Sequence, residues 1–171
     1  MPEFYGTVAA ADAYHAARGN TAWTGDDMAK QAALARASAY IDGLGTQLPS
    51  TGCALSFPGR KAGGRGQALQ WPRVGAEDRD GYPIDAESVP GEIEQAVYEG
   101  ALRELAKPGS LNPDYIASKA VKRAKVGPLE TEFFGPEATE GQPNKPVVGI
   151  INDILAPIMV LRCPLPAVVV V

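Results

Sequence analysis

Apolar positions recur with helical spacing in three stretches before residue 110, and the period is lost between the second and the third. Residues 8–18, "VAAADAYHAAR", are rich in alanine, which favours helix because it surrenders no side-chain entropy there. Thr7 is placed to cap that helix and Gly19-Asn20 to end it. In "TGDDMAKQAALARASAYIDGLG", Leu34, Ala37, Ser38 and Ile41 share one face, with Ala33, Tyr40 and Leu44 beside it. Thr24 as N-cap, Asp26 and Asp27 at the positive end of the helix dipole, and Gly43 as the stop predict a helix over about 25–42. The clearest pattern is "VPGEIEQAVYEGALRELAKPG". Ile93, Val97, Ala101 and Leu105 return every four residues, Tyr98 and Leu102 widen the stripe, Pro90 opens the element and Lys107-Pro108-Gly109 closes it.

Between 43 and 89 glycine, proline and single aromatics alternate without period. A short strand is expected at "ALQWP" (68–72), and a segment of this length is normally functional or ordered by a partner. Further on, "ASKAVKRAKVGPLETEFFG" alternates around Gly127-Pro128 and predicts a β-hairpin or extended arm over 119–134. Residues 135–146 are polar, 147–159 read as a short helix apolar on most sides, and the chain runs out in "VLRCPLPAVVVV". An unpaired apolar end such as this invites strand pairing, either as an edge of its own domain or on a neighbour. The expected architecture is mainly α: a small helical bundle over 1–159 with a long irregular loop at 43–89, the hairpin or arm at 119–134 and the helix at 147–159, followed by a C-terminal arm over 160–171 that includes Val160, Leu161, Val168, Val169, Val170 and Val171.

Charge changes the picture most. The chain carries 16 basic and 20 acidic residues, yet 59–73, "GRKAGGRGQALQWPR", holds Arg60, Lys61, Arg65 and Arg73, and 119–125 holds Lys119, Lys122, Arg123 and Lys125, with no acid in either. The rest is left with eight bases against all twenty acids, an asymmetry that fits partner binding. These eight are the candidate contacts to DNA or to acidic partner surfaces. Trp71 offers either a stacking surface for bases or, with Pro72, an apolar plug that anchors the loop, and Phe133 and Phe134 follow the second cluster. Neither cluster matches a helix-turn-helix, RRM or KH signature, so sequence-specific recognition is not expected.

Catalysis finds no footing. His15 is the one histidine, three residues after Asp12; a surface or partly packed role is expected of it rather than a ligand pair. GxSxG, HExxH and P-loop spacings are absent, so neither enzyme activity nor a cofactor or metal is expected. Cys53 and Cys163, 110 positions apart, read as two separate thiols in a reducing cytoplasm. No signal peptide or membrane span is visible.

In their order, "YGTVAAADAYHAARGNTAWTGDD", "YID", "FPGRKAGGRGQALQWPR", "VPGEIEQAVYEGALREL" and "LNPDYIASKAVKRAKVGPLETEFF" resemble small proteins encoded among the head genes of tailed bacteriophages, often labelled DnaT-like single-stranded-DNA-binding proteins and similar to head–tail connector, adaptor or head-completion proteins. The resemblance covers about residues 4–134, with a weaker match to the "IxxILAPI" helix. It implies a structural virion protein made in the host cytoplasm: a homo-oligomeric, twelve-fold ring beneath the portal protein at the head–tail interface, with packaged double-stranded DNA passing through the lumen and a tail or stopper protein docked below. In that setting the 43–89 loop and the C-terminal arm would make assembly contacts. The alternative places the same basic residues on single-stranded DNA in phage replication, held without regard to sequence.

Overall fold

A computed structural model describes residues 4–46, 53–113, 123–126, 129–132 and 147–163. Its architecture is mainly α. Thr7 Oγ accepts the Ala10 N–H and starts α1 (Val8–Ala17). In α2 (Asp27–Gly45) the cap is Asp26, whose carboxylate accepts the Ala29 N–H, not Thr24. That helix also runs past Gly43 to Gly45, where the backbone lies against the Phe57 ring so closely that a Cβ would sit 2.0 Å from Phe57 Cε2. Glycine at 43 carries an intrinsic helix penalty of only about 1 kcal/mol, which tertiary packing overrides.

α3 (Gly91–Ala106) is the hub. Ile93, Val97 and Ala101 are fully buried, Ala96 and Gly100 are small, and α2 presents Ala33, Ala37 and Ile41. A Cβ on Gly100 would meet Ala37 Cβ at 3.1 Å and Leu111 Cδ1 at 3.2 Å, so the small residues set how closely these helices approach. The short α4 (Gly149–Leu155) also packs on α3, burying Ile151 and Leu155, and a 3-10 turn at Ala156–Ile158 buries Ile158.

The two buried carboxylates on α3 are both engaged. Glu104, 1% exposed, accepts from Arg36 Nε (2.7 Å) and from the Gly109 (2.7 Å) and Leu111 (2.8 Å) N–H groups. Burial alone would raise its pKa, but those backbone donors and the guanidinium hold the carboxyl below its usual range. Glu99 accepts from Tyr14 Oη and Arg103. His15 is buried rather than at the surface: Tyr98 O can only accept, so His15 Nε2 carries the hydrogen and Nδ1 accepts from Asn20 Nδ2. Asp12 turns instead to Trp23 Nε1 and Lys30 Nζ, which rules out a His15–Asp12 pair.

The 43–89 region is more ordered than its pattern implied. β1 (Ala54–Ser56) pairs antiparallel with β6 (Val160–Arg162). β2 (Arg60–Lys61) pairs with β3 (Arg73–Val74), and a 3-10 turn at Gly64–Gly66 lies between them. The strand expected at 68–72 is absent; residues 68–70 form a bend and pairing starts at Arg73. Two cysteines read as separate thiols form a disulfide, Cys53–Cys163, because the β1–β6 register brings their positions opposite one another. The same register uses Val160 and Leu161 within the chain's own ribbon, the edge-strand alternative, while 168–171 lie outside the described residues.

The chain divides into two units, Met1–Leu111 with Val147–Val171, and Asn112–Pro146. β6 belongs to the first. In the second, β4 (Arg123–Val126) and β5 (Leu129–Glu132) form an antiparallel hairpin whose register sets Arg123 opposite Glu132 and Lys125 opposite Glu130. Among the described residues no helix is long and apolar enough to cross a membrane.

Candidate nucleic-acid interface

Residues 53–76 contain no acid, and the fold exposes their bases selectively. Arg60 at the start of β2 and Arg65 on the 3-10 turn are exposed, and neither belongs to any of the ion pairs among the described residues, which join Lys30 to Asp12, Arg36 to Glu104 and Arg103 to Glu99. Lys61 is half-buried and spends one donor on Gln67 O (2.8 Å), which closes the turn that carries Arg65. Gln67 completes that closure: its Oε1 accepts the Gly63 N–H and its Nε2 donates to Leu69 O and Pro72 O.

Arg73, a candidate contact by sequence, is a structural clip. It is 8% exposed, and its guanidinium donates to Pro58 O (2.5 Å), Gly59 O (2.9 Å), Gln70 O (3.2 Å) and Gln70 Oε1 (3.1 Å). Burial, with the positive charge of Arg162 nearby, pulls its pKa down. Trp71 is 2% exposed, joined to Pro72 by a cis peptide, and set edge-on to Phe57 at a centroid distance of 5.6 Å. Its indole offers no face to a base.

A short relay fixes this loop to the helices. Tyr5 Oη donates to Asp42 Oδ1 (2.6 Å) and accepts the Trp71 N–H (3.0 Å), while Asp42 Oδ2 accepts the Gln70 N–H (3.1 Å). From the other side, Ser38 Oγ accepts the Tyr5 N–H (3.0 Å). Burial pushes the Tyr5 phenol far up, with the Asp42 charge adding to it, so it remains a neutral donor. Burial also raises the Asp42 carboxyl, against the bonds from Tyr5 and Gln70.

A further basic residue that the sequence pattern does not single out, Arg162, approaches this loop. It is exposed, and its Nη2 donates to Phe57 O (3.3 Å), the carbonyl next to those of Pro58 and Gly59 that hold Arg73. Beside this row an open cleft of about 390 Å³ is lined by Gly59, Arg60, Val74 and Gly75. Gly59 has φ +63°, and a Cβ there would lie 2.4 Å from Val74 O, so only glycine permits the β2–β3 approach.

Arg60 and Lys61 thus lie on the β2–β3 ribbon and Arg65 on the turn within it, while Arg162 is bonded to Phe57, three residues before Arg60, and stands near Arg73, the ribbon partner of Lys61. Arg123 and Lys125 sit in the hairpin of the other unit, opposite acidic positions. Lys119, Lys122, Phe133 and Phe134 lie outside the described residues. The arrangement offers guanidinium donors to a polyanion. No group of three His, Cys, Asp or Glu able to hold a metal occurs among the described residues.

A family model described as "Putative DnaT-like ssDNA binding protein" matches residues 3–168. No curated protein matches the chain, and no solved structure does. The match corrects the expectation of a head–tail connector: the family is described by single-stranded-DNA binding, and with that go the portal-bound twelve-fold ring, the tail or stopper partner and the lumen for packaged double-stranded DNA. Structure removes one support of that expectation as well, since Val160 and Leu161 already have a strand partner in β1.

Proposed function

The chain belongs to the DnaT-like single-stranded-DNA-binding family, and we propose that it holds single-stranded DNA, without reading sequence, on the acid-free surface formed by Arg60, Lys61, Arg65 and Arg162. The match over residues 3–168 carries this reading. Exposed guanidiniums with no carboxylate partner among the described residues support it, because a strand's phosphates supply what such a surface lacks and release counterions on binding. The buried indole of Trp71 makes phosphate contact, not stacking on that ring, the source of affinity here. This is a binding role, and the chemistry of the surface calls for no catalysis.

The reading is tested by titrating fluorescein-labelled oligonucleotides of 20 thymidines, 20 adenosines and mixed sequence, with a duplex as competitor. Comparable affinities for the three single strands, lost together in Arg60→Ala/Lys61→Ala/Arg65→Ala, are expected. Binding by the triple variant equal to wild type would place the site elsewhere.

A further inference from the structure

We propose that the Cys53–Cys163 disulfide is a redox latch on this interface, an inference that rests on the function proposed above: breaking the bond releases β6 and withdraws Arg162 from the strand-binding surface. The observations concern what holds each strand. β1 is fixed independently of the disulfide, since it leads directly into Phe57, which is 1% exposed and whose N–H donates to Gly45 O (2.9 Å). The other partner is different. Among the described residues its core anchorage ends at Ile158 (2% exposed) and Met159 (9%), after which Val160 is half-buried, Leu161 is 65% exposed, and Arg162 and Cys163 are exposed.

Among the described residues, β6 is held beyond Met159 by three residue pairs to β1, by the long Arg162–Phe57 hydrogen bond and by the disulfide. A two-stranded ribbon of that length is marginal alone in water. The covalent link changes this, because it keeps two segments 110 positions apart in the chain at high effective concentration. Both cysteines are exposed, so a reductant reaches them. A dithiol supplies two electrons and two protons, the Sγ–Sγ bond breaks, two thiols form, and the dithiol closes to its own disulfide.

Reduction should subtract Arg162 and little else. Arg60, Lys61 and Arg65 ride on the β2–β3 ribbon, which Trp71, Arg73 and the Tyr5–Asp42 relay anchor to the helices and to the Pro58–Gly59 backbone. Losing one phosphate contact reduces the salt dependence of binding to a single strand by about 0.7 in the slope of log K against log salt, which is about fourfold in affinity at 0.15 M salt.

The experiment compares oxidised wild-type protein with protein reduced by dithiothreitol, titrated into labelled oligothymidylate over a salt series, with amide exchange of residues 160–162 followed in parallel. Reduced protein, and Cys53→Ser/Cys163→Ser in either condition, should bind about fourfold more weakly at 0.15 M salt and with the shallower slope. Exchange should rise in β6 but not in α2 or α3. Arg162→Ala should match reduced wild type and no longer respond to the dithiol. Tight binding that is blind to redox state, or a response that persists in Arg162→Ala, overturns the latch alone. Failure of both redox forms to bind overturns the single-strand reading itself, and the latch with it.

Discussion

Replacing Tyr5 with Phe removes one oxygen and keeps a ring that is 2% exposed, so the change isolates the relay that fixes the basic loop. Two hydrogen bonds go: the 2.6 Å bond to Asp42 and the 3.0 Å bond from the Trp71 N–H. Trp71 is buried, and an amide orphaned there costs about 1–3 kcal/mol. The bond to Asp42 is charge-assisted, worth about 1.5–3 kcal/mol, but Asp42 is half-buried and regains water, so the lower end applies. Together these give a destabilisation of about 2.5–4.5 kcal/mol. Urea unfolding should show this as a lower midpoint with an unchanged slope, since the surface exposed on unfolding hardly differs. The relay also positions Gln70 and Trp71 next to the β2–β3 ribbon, so oligonucleotide affinity should fall although every basic residue is retained. A loss of stability below about 0.5 kcal/mol, the range of an ordinary surface change, would refute the assignment of the relay as the loop's anchor.

Other consequences concern the helical core. Glu104→Ala leaves two backbone N–H groups without their acceptor and should destabilise by about 3–5 kcal/mol, whereas Arg36→Ala removes one charge-assisted bond but leaves the two backbone donors on the buried carboxylate and should cost about 1.5–3 kcal/mol; calorimetric unfolding of the two variants would distinguish them. Burial lowers the pKa of His15 below its ordinary value, opposed by the Glu99 charge and the bond to Tyr98. The unfolded chain thus takes up this proton at about pH 6.5 and the folded one only at lower pH, so the contribution of His15 is fully present above that pH and declines as pH falls below it. A His15→Gln variant should lose that component of the pH dependence. Gly45→Ala drives a methyl into the Phe57 ring and should destabilise by about 1–3 kcal/mol, read as a lower urea midpoint.

Local signals made the helices legible. The four-residue return of Ile93, Val97 and Ala101 marked α3, and Thr7 marked the start of α1, because both depend on neighbours in sequence. What failed was long-range. Nothing near Arg162 indicates that it will stand beside Phe57, since that contact arises from pairing residues more than 100 positions apart. The one available clue was symmetry: Cys53-Ala54 and Arg162-Cys163 are the two ends of an antiparallel pair, and a disulfide between them would have implied it. Charge counting grouped Arg73 with Arg60, Lys61 and Arg65, yet a guanidinium beside tryptophan, proline and carbonyl-rich turns can serve the chain itself. His15 was misjudged for a related reason, because its partners, Asn20 and the Tyr98 carbonyl, are revealed only by how α1 meets α3. Buried Glu99 and Glu104 likewise gave no sign of their burial, since their donors come from α1, α2, the turn after α3 and Arg103 on α3 itself.

The most direct measurement is the salt dependence of oligothymidylate binding by the oxidised protein and by Arg60→Ala/Arg65→Ala/Arg162→Ala. Three exposed arginines engaging three phosphates give a slope of about −2 in log K against log salt for the wild type. The account predicts that slope, and a triple variant with little salt dependence left and correspondingly weak binding. Equal slopes for the two proteins, or binding that ignores salt, would contradict the claim that this surface holds the strand.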